Sequence, residues 1–151
     1  MKSGLVLTGI PVPPSSNNQY VSFVRHGRIV HVRSPELVKY RKAFDSWAKA
    51  NAEAVLAIRE MVKGSAIQVD AFVALHRDRL YTKRGTFKKL DVSNRLKALH
   101  DYLGDLLLVD DSHFFAVAAE KVVVEKVEDE QVIVFICPCP ARTLAEVQEL
   151  L

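Results

Sequence analysis

Ala66-Ile67-Gln68-Val69-Asp70-Ala71-Phe72-Val73-Ala74-Leu75-His76 decides the fold. Successive side chains of an extended chain point to opposite faces, so Ile67, Val69, Ala71, Val73 and Leu75 share one side. The segment is expected as a core strand whose apolar face other elements must cover. Upstream, Leu37, Tyr40, Phe44, Trp47 and Ala48 recur at helical spacing. Ser34 before Pro35 and Glu36 supplies an N-cap with proline at the first helical position. One long helix is expected from residue 35 to about residue 60 or 61, closed by Gly64. Residues 5–10 read as a first strand that ends in Pro11-Val12-Pro13-Pro14-Ser15-Ser16-Asn17-Asn18, a run suited to turns. Residues 20–24 and 29–32 flank Arg25-His26-Gly27-Arg28 and predict a hairpin, with Gly27 at positive φ.

Downstream, residues 77–89 have no clear period and read as a mobile loop. Leu96, Leu99 and Leu103 form the buried stripe of a helix over 94–103, with Ser93 as cap and Gly104 as terminator. Residues 114–127 and 131–137 are expected to pair as a hairpin turning at Glu128-Asp129-Glu130. Thr143 and Glu146 form a capping box for a short terminal helix, with Leu144, Val147 and Leu151 inward. The fold class is α+β (mixed α/β): one mixed β-sheet with helices packed on a face, in a single small domain over 1–151.

A chain of 151 residues supports one core, and 49% hydrophobic with 26% charged residues excludes disorder over most of its length. No apolar run approaches the roughly 20 residues of a bilayer span, and Met1-Lys2-Ser3-Gly4 opens no signal peptide. A cytoplasmic location with no membrane partner is therefore expected. Cys137 and Cys139 lack a second pair to complete a zinc site and read as small apolar residues at a strand end.

The net charge of +3 hides an asymmetry. Residues 1–76 hold ten Lys/Arg against five Asp/Glu. Residues 77–97 hold eight bases, Arg77, Arg79, Lys83, Arg84, Lys88, Lys89, Arg95 and Lys97, against Asp78 and Asp91. Residues 98–151 hold three bases against eleven acids. A basic run is ordinarily a solvated loop, but one this dense beside clustered carboxylates fits a polyanion held over a metal site. Arg77, Arg79, Lys83, Arg84, Lys88, Lys89 and Arg95 are the expected contacts to the phosphates of such a polyanion.

The chemistry is expected within Asp91-Val92-Ser93-Asn94-Arg95-Leu96-Lys97, then Asp101 and Asp110-Asp111-Ser112. Asn94, Lys97 and Asp101 share the polar face opposite the leucine stripe, and Asp91 stands at the helix entrance. Such hard oxygen ligands suit Mg²⁺, which needs only one or two carboxylates plus substrate phosphate oxygens. Each residue also has a plain structural use: Asp91 or Ser93 as a helix cap, Lys97 with Asp101 as an exposed ion pair, Asp110-Asp111 as a turn. Asp70 and Asp78 are further acids near the motif. His76, His100 and His113 show no zinc spacing.

Asp91-x-x-Asn94-x-x-Lys97-x-x-x-Asp101-x-Leu103 followed by Asp110-Asp111-Ser112 resembles the signature of the RusA-type Holliday junction resolvases. Pro13-Pro14-Ser15-Ser16-Asn17-Asn18 and Tyr20 resemble that family's opening segment, so the resemblance runs over about 5–136. It implies a dimeric, Mg²⁺-dependent endonuclease, with Mn²⁺ as a substitute, that resolves four-way DNA junctions by paired nicks in recombination and repair. It implies Asp91, Asp110 and Asp111 as metal ligands and Asp91, Lys97 and Asp111 as catalytic residues. Ser93, Asn94 and Asp101 are expected just behind those ligands. The chain departs from the pattern at Ser93, where the family carries a second acid, so the site has one negative charge fewer.

Three functions compete: a structure-selective endonuclease, a junction-binding protein of the same family with weakened catalysis, and an unrelated Mg²⁺ enzyme on small phosphates. No Gly-rich phosphate loop supports the third. Symmetric cutting of a junction calls for a C₂ homodimer, and the helix bearing Tyr40, Phe44 and Trp47 offers apolar surface for it.

Overall fold

The computed structural model describes residues 3–151; Met1 and Lys2, and with them part of the leader reading, lie outside the described residues. Four strands form a sheet in the order β1-β6-β4-β5: β1 Leu5–Ile10, β4 Ala66–His76, β5 Phe114–Val124 and β6 Gln131–Cys139. A separate two-stranded sheet pairs β2, Tyr20–Arg25, with β3, Arg28–Arg33. Its turn holds His26 at φ 51° and Gly27 at φ 73°, the paired positive values of a tight hairpin turn.

The core is the expected face of β4. Ile67, Val69, Ala71, Val73 and Leu75 are buried, together with Leu7 and Ile10 of β1 and Val132, Val134 and Ile136 of β6. Over them lie α1 Pro35–Ala50, α2 Ala52–Val62 and α4 Ser93–Leu107, through Leu37, Phe44, Ile58, Val62, Leu99, Leu103 and Leu107. Ser34 caps α1 as read, its hydroxyl accepting from the Leu37 amide at 3.1 Å.

The order of strands corrects the predicted hairpin of the last two. β5 runs parallel to β4, β6 runs antiparallel to it, and β4 lies between them. The most apolar strand takes the centre because both its edges and its inner face are then covered. Residues 125–130 cross its end, spanning two strand spacings, about 9.6 Å, which six residues do with ease. Two ion pairs clamp this crossing to α3, Arg77–Leu80, which continues directly from β4. Arg77 donates to Glu125 at 2.8 Å and Arg79 donates to Glu130 at 2.8 Å. The predicted mobile loop is thus partly helical, and Tyr81 bridges Phe87 around Gly85 at φ 79°.

Other boundaries move for local reasons. The long helix breaks at Asn51, whose side-chain amide donates to the Trp47 carbonyl at 2.8 Å and so satisfies the end of α1. Gly104 lies inside α4, where a Cβ would stand 3.1 Å from the Val109 carbonyl of the returning chain. It permits that close approach, and the helix ends instead at Leu108 in the left-handed conformation, φ 57°. Tyr40 and Phe44 are buried, ringed with Tyr102, and Trp47 is half-buried with its indole N–H on the Thr8 carbonyl, so this face offers little spare surface. The terminal helix α5, Leu144–Gln148, has its capping box, but Leu144, Val147 and Leu151 are exposed rather than inward. Cys137 is buried and Cys139 half-buried, both unbridged at the end of β6. No helix of the described residues is long and apolar enough to cross a membrane.

Leu103 is fully buried where α4 meets the sheet. Leu103→Ala is expected to cost about 2–5 kcal/mol in urea unfolding monitored by circular dichroism, the range for a core cavity of that size.

Candidate functional site

α4 carries most of the candidate residues, and its burial sets their direction. With Leu99, Leu103 and Leu107 inward, Lys97, Asp101 and Asp105 are exposed and Asn94 is half-buried at the first turn. Asp91 precedes that turn. Its carboxylate accepts from the Ser93 amide at 2.9 Å and from the Ser93 hydroxyl at 2.6 Å. Ser93 is therefore the first helical residue and a donor to Asp91, not the helix cap. The Ser93 hydroxyl, then the Ser93 amide, hold the Asp91 carboxyl below the ordinary carboxylate range, with a smaller pull from Lys121.

Asp91 opens onto a cleft of about 280 Å³ lined by Ser15, Asn17, Asn18, Lys89, Asn94 and Arg95. Ser16 donates to the Asn94 side-chain oxygen at 3.3 Å, which ties the Pro/Asn segment to α4. Lys121 of β5 donates to the Leu90 carbonyl at 3.2 Å beside this cleft. Sequence reading missed Lys121, because only the parallel β4–β5 register brings residue 121 alongside residue 90.

Asp110 and Asp111 lie beyond the other end of α4. A helix of 15 residues is about 22 Å long, so its length separates the entrance acid from the exit acids within one chain. Asp110 accepts from the Ser112 amide at 2.9 Å, and its carboxyl is held low chiefly by hydrogen bonding from Ser112. Asp101 is raised by burial, an effect that Lys97 opposes and the negative charge of Asp111 reinforces. Asp101 and Asp111 are thus within electrostatic reach of each other. Both also face His100, which burial pushes down against their pull. The His100 ring packs edge-on against Phe114 at 5.6 Å, and its Nε2 is buried without a hydrogen-bond partner among the described residues.

Among the described residues, no three His, Cys, Asp or Glu side chains stand together as a preformed metal cluster. The donor chemistry nevertheless meets the modest needs of Mg²⁺, one carboxylate at Asp91 or two at Asp101 and Asp111, with water and phosphate oxygens completing the octahedron. Asp70 adds nothing to this set: it points to the opposite sheet face and accepts from Gln68 at 2.7 Å. Asp78 sits on α3, 3.7 Å from His76.

The seven expected DNA-binding bases divide into two groups. Arg77 and Arg79 hold the strand crossing, Arg95 donates inward to the Pro13 carbonyl at 2.7 Å, and Lys88 donates to the Asp78 carbonyl. Lys83, Arg84 and Lys89 are exposed and have no ion pair among the described residues.

Acids and bases interleave along α4, beside a cleft lined with amide and hydroxyl groups. The sequence model described as Endodeoxyribonuclease RusA matches residues 11–136, and the chain belongs to that family. No curated protein matches the chain.

Asp91 and Asp110 have depressed folded-state values. The stability they add is therefore present at neutral pH and is lost as pH falls through those values. Ser93→Ala removes the largest cause at Asp91 while keeping the backbone donor. The Asp91 carboxyl should then titrate at higher pH in a carboxyl-carbon NMR titration, and an unmoved midpoint would refute the assignment.

Proposed function

We propose that this chain is a divalent-metal-dependent, structure-selective endonuclease that resolves four-way DNA junctions by paired nicks. The observation that carries the reading is the family match over residues 11–136, with Asp91 at the entrance of α4, Lys97 on its exposed face and Asp111 beyond its exit. Asp91 at the entrance of α4, and Asp110 and Asp111 beyond its exit, would hold Mg²⁺ or Mn²⁺ between two protomers, with Ser93 and Asn94 beside Asp91 and Asp101 beside Asp111. A divalent cation supplies Lewis-acid charge and an acidified water for phosphodiester hydrolysis.

The chain's own residues prepare that chemistry. Ser93 orients the Asp91 carboxylate through its amide and hydroxyl and holds it further below the ordinary carboxylate range. Lys97, exposed one turn before Asp101, offers a cation to a phosphate oxygen and neutralises charge that grows during cleavage. Lys83, Arg84 and Lys89 supply phosphate contacts that carry no base preference. A C₂ homodimer presents two copies of each acid to one junction, so a strand can meet Asp91 of one protomer and Asp111 of the other. That arrangement accommodates their separation along α4.

The test is a synthetic four-way junction incubated with and without Mg²⁺. Cutting only with Mg²⁺ supports the reading, whereas binding without cutting selects the junction-binding alternative, for which the lost acid at Ser93 is the argument. Asp91→Asn and Asp111→Asn should each abolish cleavage and leave binding intact, since an amide keeps the shape and loses the charge. Near wild-type nicking by either variant would be fatal to the site assignment.

Ser93→Asp should lower the Mg²⁺ concentration for half-maximal cleavage. In place of a hydroxyl donor it sets a second carboxylate against Asp91, and a cation relieves their repulsion. A raised Mg²⁺ requirement in a titration of cleavage rate would place Ser93 away from the metal.

A further inference from the structure

The β2–β3 hairpin stands apart from the sheet and buries almost nothing. Val24 and Ile29 lie directly opposite each other near its tip, 70% and 69% exposed. A two-stranded hairpin alone is marginal in water, and β-branched residues this exposed gain nothing from the fold that carries them. The base, by contrast, is fixed: Ser34 donates through its amide to the Gln19 carbonyl at 2.8 Å and through its hydroxyl to the Asn18 carbonyl, and Gln19 and Ser34 are buried. The hairpin is therefore an arm anchored at its base with a free end.

The charge at that end is uncompensated. Arg25 and Arg28 oppose each other across the strands, an arrangement of like charges that costs stability. Residues 19–35 contain no carboxylate, and neither arginine has an ion pair among the described residues. Two such tips meeting in a self-association would bring four arginines together without an acid on either hairpin. A polyanion removes the repulsion, and a β-ribbon has the width to enter a DNA groove.

We propose that the β2–β3 hairpin is a DNA arm directed at the open centre of a branched DNA, with Arg25 and Arg28 on phosphates and Val24 and Ile29 against unstacked bases. Apolar side chains wedged between base steps are a general device for holding distorted DNA. The inference rests on the DNA-cleaving reading above and adds to it the part that selects branched over linear substrate.

The experiment measures binding of the full chain to a four-way junction without divalent metal, as a function of salt, with 2-aminopurine at the branch point. Arg25→Ala/Arg28→Ala should reduce the slope of log affinity against log salt by about 1.8, at about 0.9 per phosphate contact. Val24→Ser/Ile29→Ser should keep the salt slope and lose the 2-aminopurine fluorescence increase on the junction. Both variants should match the wild type in circular dichroism and sedimentation, because the tip packs on nothing. Wild-type salt slope and fluorescence in both variants would overturn the arm while leaving the nuclease reading intact. A lowered sedimentation coefficient in Val24→Ser/Ile29→Ser would overturn it in favour of self-association. A wild-type chain that neither binds nor cuts the junction would overturn both readings together.

Discussion

The packing of α4 against the inner face of β4 is the constraint from which the site follows. Val69, Ala71 and Val73 on the strand and Leu99, Leu103 and Leu107 on the helix lie in one core cluster. Because β5 pairs parallel to β4, the chain must return the length of the sheet between them, and α4 is that return. The helix entrance therefore falls at the end of the sheet where β4 finishes, and its exit falls where β5 begins. Asp91 and Asp110-Asp111 inherit these two places. Their separation is a property of the crossover, and no side-chain rotamer changes it.

What was legible in the sequence is what depends on local pattern. The alternation of 66–76, the helical spacing from Leu37 to Trp47, the Ser34 cap and the Gly27 turn each report a short stretch of backbone, and each appears as read. The pairing of β5 and β6 failed because two consecutive apolar strands with an acidic turn look the same whether they pair with each other or flank a third. Only the competition for the edges of β4 decides, and that competition is global. Gly104 failed for a related reason. A glycine near a helix end signals termination by default, but here it serves the approach of Val109, which no local pattern encodes.

The candidate site divides in the same way. The acids and Lys97 were visible because their spacing is sequential. Lys121 and His100 became relevant only through the strand register and the burial against Phe114. The basic stretch shows the converse hazard: its density suggested a continuous phosphate-binding surface, yet Arg77, Arg79 and Arg95 are engaged within the fold. Exposed ion pairs of this kind contribute little to stability, typically under about 1 kcal/mol. Their role here is geometric, holding the 125–130 crossing over the end of β4.

Ser93 gains a definite meaning from this arrangement. A second acid there would set two like charges side by side at the exposed helix entrance, a repulsion that a cation between them would relieve. The hydroxyl instead donates to Asp91 and stabilises that single carboxylate without any cation. The substitution thus exchanges electrostatic demand for metal against a self-sufficient helix entrance. On the metal-dependent reading proposed above, the entrance needs no cation to relieve repulsion, and a cation would find one anionic ligand fewer there. The Ser93–Asp91 hydrogen bonds thus hold the helix entrance together by themselves, and any cation bound there would draw on water and substrate oxygens for its remaining ligands.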